Sequence, residues 1–166
     1  MTDATIDKKM LYAYLAEIKD PEVPVLSIID LGIVRDIIMH GEEIEVMITP
    51  TYTGCPAMDM ISMNIRLMLS TLGFKKQKIT QVLSPAWTTD WMSEEGKRKL
   101  QDYGIAPPNP KQQVCSNKLF AADEAVQCPH CNAWHTHRIS EFGSTACKAL
   151  YQCDDCKEPF DYFKCH

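Results

Sequence analysis

Cys128-Pro-His-Cys131 and Cys153-Asp-Asp-Cys156 are two pairs of thiols, with 21 residues between the pairs. Two intervening residues let one tight turn present both sulfurs to a single ion, and two such turns complete a tetrahedron of soft donors suited to zinc. Four unrelated buried thiols would have no need of this spacing. Iron takes the same four thiolates, so the pattern names the ligands Cys128, Cys131, Cys153 and Cys156 more firmly than the metal, for which structural zinc is the expectation. His130, His135, His137 and His166 lie nearby and read as solvated surface side chains. Cys147 and Cys165 read as small buried hydrophobes, with a second metal pair as the alternative, and Cys115 is assigned no role.

A different kind of cysteine stands in Thr49-Pro-Thr-Tyr-Thr-Gly-Cys55-Pro56. Pro56 suits the first position of a helix, which places Cys55 at or beside the N-cap. A thiol at the positive end of a helix dipole is expected to ionise more readily and to react or bind metal, whereas a structural cysteine belongs on the apolar face of the helix. No histidine follows in a place that suggests a Cys-His nucleophilic pair, so the expectation is that the protein is not an enzyme.

The elements that must hold these residues are legible from periodicity. Ile6, Met10, Leu11, Tyr14, Leu15 and Ile18 recur at helical spacing up to Asp20-Pro21. Ile33–Met39 and Glu43–Thr49 read as a hairpin about His40-Gly41-Glu42, with Ile44, Val46 and Ile48 alternating against Glu43, Glu45 and Met47. Ile61, Ile65, Met68 and Leu72 mark a second helix that Gly73 stops. Ile79–Leu83 is a third strand, and Asp90–Tyr103 a third, weaker helix. The fold class expected is α+β: a small three-stranded sheet packed with helices, then a C-terminal zinc-ribbon-like β module. Ala106-Pro-Pro-Asn-Pro110 cannot continue a helix and reads as a stiff linker. The expected division is therefore residues 1–105, a linker over 106–114 and a ribbon over 115–166. The ribbon's apolar residues are too sparse for a core of their own, a shortfall that a bound metal makes good.

The composition excludes several classes of function. A net charge of −5 and a pI near 5.5 argue against binding a phosphate backbone, and from Lys111 onward seven acidic residues outnumber six basic ones. No basic leader followed by an apolar stretch opens the sequence, and no run of apolar residues is long enough to cross a membrane. Thiol pairs without an export signal point to metal ligation in a reducing, cytoplasmic setting.

Asp20-Pro-Glu-Val-Pro24, Asp30-Leu-Gly-Ile-Val34 and Thr51-Tyr-Thr-Gly-Cys-Pro56 together resemble the domain shared by SufT and the cytosolic iron–sulfur targeting factors, over roughly the first hundred residues. The tail, Ser140-Glu-Phe-Gly-Ser-Thr-Ala-Cys-Lys-Ala-Leu150 followed by Cys153, Cys156 and Glu158-Pro-Phe-Asp-Tyr-Phe-Lys-Cys-His166, resembles the PaaD family of the aerobic phenylacetate pathway. The resemblance implies a non-catalytic accessory of the phenylacetyl-CoA epoxidase, an oxygenase with a di-iron subunit and a reductase carrying flavin and a 2Fe–2S cluster. It makes Cys55 the working thiol, with Asp20 and Glu22 as its neighbours, for transient capture of iron or an Fe–S cluster. One thiolate cannot complete a coordination sphere, so sharing within a homodimer is implied. Whether the reductase or the di-iron subunit receives the metal is left open. The alternative is a structural adaptor that holds the oxygenase components together and carries no metal cargo.

Overall fold

Alternation along the hairpin decides where the first core forms. A computed structural model describes residues 6–109 and 125–164, and in it β1 (Val34–His40) and β2 (Glu43–Ile48) pair antiparallel. Ile44, Val46 and Ile48 are fully buried on one face of β2, while Glu43 is exposed on the other. β3 (Lys76–Gln81) joins β2 in parallel, giving the order β1-β2-β3. A parallel neighbour needs a crossover, and α2 (Ala57–Thr71) supplies it. Its Ile61, Ile65 and Leu69 are fully buried, a spacing that puts all three on one helical face.

α1 (Lys8–Leu15) is capped by Asp7, whose carboxylate accepts the Met10 amide at 2.7 Å. The helix is shorter than the periodicity suggested. It ends at Leu15, and Ile18 stays buried from a loop that an isolated bridge between Lys19 and Ser27 ties together. That same loop carries Asp20 and Glu22.

The Asp30–Val34 segment is a structural lock. The Asp30 carboxylate accepts from the Ser27 amide and hydroxyl and from the Ser93 hydroxyl, at 2.9 to 3.1 Å. The Ser93 amide returns to the Asp30 carbonyl at 2.8 Å. Gly32 follows in the left-handed region, φ +67, and a Cβ there would lie 2.3 Å from the Trp91 carbonyl oxygen. No other residue fits this approach.

The contacts divide the chain into two units, Met1–Ser93 and Glu94–His166. The boundary is earlier than the linker expected at 106–114. The expected third helix is in fact two pieces, a 3₁₀ turn at Thr89–Trp91 and α3 (Glu94–Tyr103), and only the turn stays with the first unit. The segment expected as linker begins inside a strand: β4 (Ile105–Ala106) pairs in parallel with β7 (Pro159–Phe163). Two backbone pairings this far apart in sequence leave no periodic trace. Residues 110–114 of the expected linker, and Cys115, Cys165 and His166, lie outside the described residues.

In the second unit β5 (Thr136–Ser140), β6 (Lys148–Cys153) and β7 form an antiparallel meander, and with β4 the sheet order is β4-β7-β6-β5. Its small core is Ala106, Val126, Ala149, Tyr151, Phe160 and Tyr162, closed at one end by Cys128 and Cys153. Among the described residues, sheets of three and four strands with three α-helices make an α+β fold, as the sequence led us to expect.

Candidate functional site: two unlike thiol centres

The four ribbon cysteines come together. Their sulfurs all lie within 4.8 Å of one another, with Cys128 and Cys156 3.8 Å apart and Cys131 and Cys153 3.5 Å apart. A tetrahedral zinc with bonds of ~2.3 Å requires sulfur separations of ~3.8 Å, so a set gathered this closely suits a four-thiolate structural ion.

The backbone explains how two short sequences achieve this. The two knuckles are conformational copies. The amide of Asn132 donates to the Cys128 carbonyl at 2.9 Å, and the amide of Lys157 to the Cys153 carbonyl at 3.1 Å. Cys128 N–H donates to Ala133 and Cys153 N–H to Glu158, at 2.8 and 3.1 Å. Asn132 and Lys157 are the two described non-glycine residues with positive φ, 60 and 66. Each follows the second cysteine of its pair and turns the chain back on itself, a role that residue type did not signal at Lys157.

Amides also face the sulfurs. Cys153 accepts from the backbone of Cys156 and Asp155, and these hydrogen bonds draw its thiol down to about 7. The Glu158 amide favours the Cys156 thiolate, but burial and the neighbouring thiols Cys153, Cys131 and Cys128 outweigh it and hold that thiol at about 12. A cluster that shares protons in this way is one that a divalent cation would discharge by displacing them. The nearby histidines serve the rim. His137 Nδ1 sits 3.0 Å from Asp154, His135 Nδ1 3.3 Å from Asp155, and His130 meets Phe160 edge to face. Cys147 is buried with its sulfur 3.0 Å from the Thr145 hydroxyl, the packed role expected of it.

Cys55 is built differently. Tyr52, Thr53, Gly54 and Cys55 form a turn in which the Cys55 amide donates to the Tyr52 carbonyl at 3.2 Å and Gly54 takes φ +78. Pro56 is the N-cap of α2 and makes no side-chain cap, so Cys55 lies one residue before the helix cap, half-buried. The turn sets the Tyr52 side chain beside the thiol. The phenol donates to Glu22 Oε1 at 3.2 Å and is also in hydrogen-bonding contact with Cys55, so one hydroxyl links the carboxylate to the sulfur.

The expected acidification of this thiol is reversed. Burial pushes Cys55 above the ordinary thiol range, and the carboxylates of Glu22 and Asp20 push the same way. The Ala57 amide at the helix start and the Tyr52 phenol favour the thiolate but do not prevail. Burial likewise raises the Tyr52 phenol. Asp20 is itself buried and occupied locally, its Oδ1 accepting the amides of Glu22 and Val23 at 2.8 Å each. It shapes the loop that presents Glu22. Tyr52 is the neighbour that sequence reasoning missed, although it stands inside the motif quoted for Cys55.

Two family models match the chain: an iron–sulfur cluster assembly protein over residues 8–80 and the PaaD zinc beta ribbon domain over residues 112–164. A protein of Escherichia coli (strain K12), provisionally named as a subunit of 1,2-phenylacetyl-CoA epoxidase, is 50% identical over 93% of this chain and 91% of its own. An Fe-S protein maturation auxiliary factor of Porphyromonas gingivalis is 34% identical over 52% of this chain and 83% of its own. Among solved structures, a domain of unknown function (DUF59) from Bacillus anthracis superposes with a TM-score of 0.53 at 29% identity, covering 56% of this chain and 90% of its own. A conserved hypothetical protein of Thermotoga maritima follows at 0.51 and 25%, covering 60% and 98%. The chain belongs to the PaaD family, in which a zinc β-ribbon follows an iron–sulfur assembly domain.

Proposed function

We propose that this protein is a non-enzymatic accessory of a phenylacetyl-CoA epoxidase system, and that it helps mature the oxygenase's metal centres by transient capture of iron or an iron–sulfur cluster at Cys55. The observation that carries the reading is the contrast at Cys55: a half-buried thiol joined through Tyr52 to Glu22, outside any complete ligand set. Four convergent thiolates retain an ion, whereas a single thiolate with open positions can give one up. The relatives support the setting. One is named as a subunit of the epoxidase and another as an Fe-S maturation factor, and their matches fall on nearly the whole chain and on about half of it respectively.

On this reading the ribbon holds zinc as a structural ion and presents the protein to an epoxidase component. No helix among the described residues is long and apolar enough to cross a membrane. A second reading, a pure adaptor, draws support from Trp134, Ile139 and Phe142, large side chains left exposed on the ribbon. The two separate on one experiment: produce the epoxidase components with the wild-type chain or with Cys55→Ser, and measure iron per oxygenase. Maturation predicts iron-poor oxygenase with the variant; equal iron beside an intact complex supports the adaptor.

A further inference from the structure

α2 carries two apolar faces. Ile61, Ile65 and Leu69 are fully buried in the first unit. Met60, Met63 and Leu67 form a second stripe, which at about 100° per residue lies nearly opposite the first, and they are 53%, 62% and 65% exposed. No charge interrupts this stripe; Asn64 and Thr71 stand on one flank, Asp59 and Arg66 on the other. A methionine-rich stripe with polar flanks marks a protein contact. We infer that a second copy of this chain covers it, in a two-fold dimer whose α2 helices pack antiparallel along Met60, Met63 and Leu67. The proposal goes beyond the maturation reading and does not depend on it.

The charges choose the occupant. Asp59 and Arg66 are exposed, and among the described residues neither has an ion-pair partner within the chain. α3, by contrast, pairs its Arg98 with its own Glu95 and Asp102. Seven residues apart, Asp59 and Arg66 share one flank of the stripe. In an antiparallel pair like flanks face each other, so a two-fold axis between Ser62 and Met63 sets Asp59 opposite the partner's Arg66, and does so twice. The same axis passes beside Met63, the middle of the apolar stripe. A parallel pair would set this flank against Asn64 and Thr71 and form no ion pair. The contact is small beside the ~1,200 Å² of a standard interface, so the dimer is reversible, with a dissociation constant on the order of 100 µM. At a rise of ~1.5 Å per residue the two Cys55 thiols stand about 20 Å apart along the helix axes, so this dimer does not join them on one ion, contrary to the sharing that the resemblance implied.

The test is sedimentation equilibrium of the full-length, zinc-loaded chain in reducing buffer, so that no disulfide contributes. The wild type should pass from the 18.9 kDa monomer toward twice that mass between ~10 and ~1,000 µM. Met63→Lys, beside the two-fold axis, should abolish the dimer, and Asp59→Arg or Arg66→Asp should each weaken it at least about tenfold. Mixing those two charge variants should restore association to within about threefold of the wild type, because each flank then meets the opposite sign. Asp59 also suits the first turn of α2, but mixing returns no carboxylate to that turn, so recovery reports the contact and not the helix's own stability. An unchanged circular dichroism spectrum and melting curve show that each variant folds. A wild type that stays monomeric over the range, a dimer indifferent to Met63→Lys, or charge variants that fail to associate when mixed would each overturn the proposal. A monomeric wild type that binds a purified epoxidase component, and loses it on Met63→Lys, would assign the stripe to that component instead.

Discussion

The four ribbon sulfurs and Cys55 place the same donor atom in unlike surroundings. In the ribbon, duplicated turns bring four sulfurs inside 4.8 Å, where backbone amides draw the Cys153 thiol down while burial and neighbouring thiols hold Cys156 up. At Cys55 a single sulfur stands before α2, with burial and two carboxylates resisting its ionisation. On the proposed function, ligand number, more than the residue type, separates a site that keeps its metal from one that exchanges it.

The largest way to break the comparison is at the ribbon. Replacing buried Cys153 by Ser, or stripping the metal with a chelator, removes an ion whose binding is worth on the order of 10 kcal/mol in comparable small domains. The second unit should unfold, while Met1–Ser93, whose core of Ile44, Ile61, Ile65 and Leu69 is its own, should keep its protected amides in hydrogen exchange. Loss of protection in both units together would show that the chain is one cooperative block.

A smaller effect is expected at Gly32→Ala. With φ +67 and the Trp91 carbonyl 2.3 Å from the new Cβ, the loop must move, at a cost of about 1–3 kcal/mol. A lowered Tm for the first unit with unchanged ribbon zinc is the predicted pair of observations.

These residues also mark where the sequence was readable. The alternation in β2, the stop at Gly73 and the thiol spacing are local signals, and the hairpin, α2 and the four-sulfur cluster all follow from them. What the sequence hid depends on partners far along the chain. β4 belongs to the ribbon only because β7 offers it an edge. The Cys55 thiol was expected to ionise easily from its place before a helix, but burial and the approach of Glu22 and Asp20 reverse the sign. Neither carboxylate is near it in sequence.

The smallest and most specific prediction follows from that reversal. A thiol raised in the folded state contributes stability that is fully present below its unfolded value, 9.0, and is lost as the pH rises through the higher folded value. The first unit of the wild type should therefore lose stability above pH ~9 in a way that Cys55→Ser does not. Iodoacetamide should label native Cys55 more slowly than the unfolded chain at pH ~8, and Glu22→Gln, by removing a negative neighbour, should speed it.

The most direct test of the account is metal analysis after anaerobic equilibrium dialysis against ferrous iron, wild type beside Cys55→Ser. One zinc per chain in both proteins, with iron retained above the dialysis level by the wild type alone, is the predicted result. Equal iron in the two, or loss of zinc on changing Cys55, would contradict the separation of a resident ion in the ribbon from an exchanging one at Cys55.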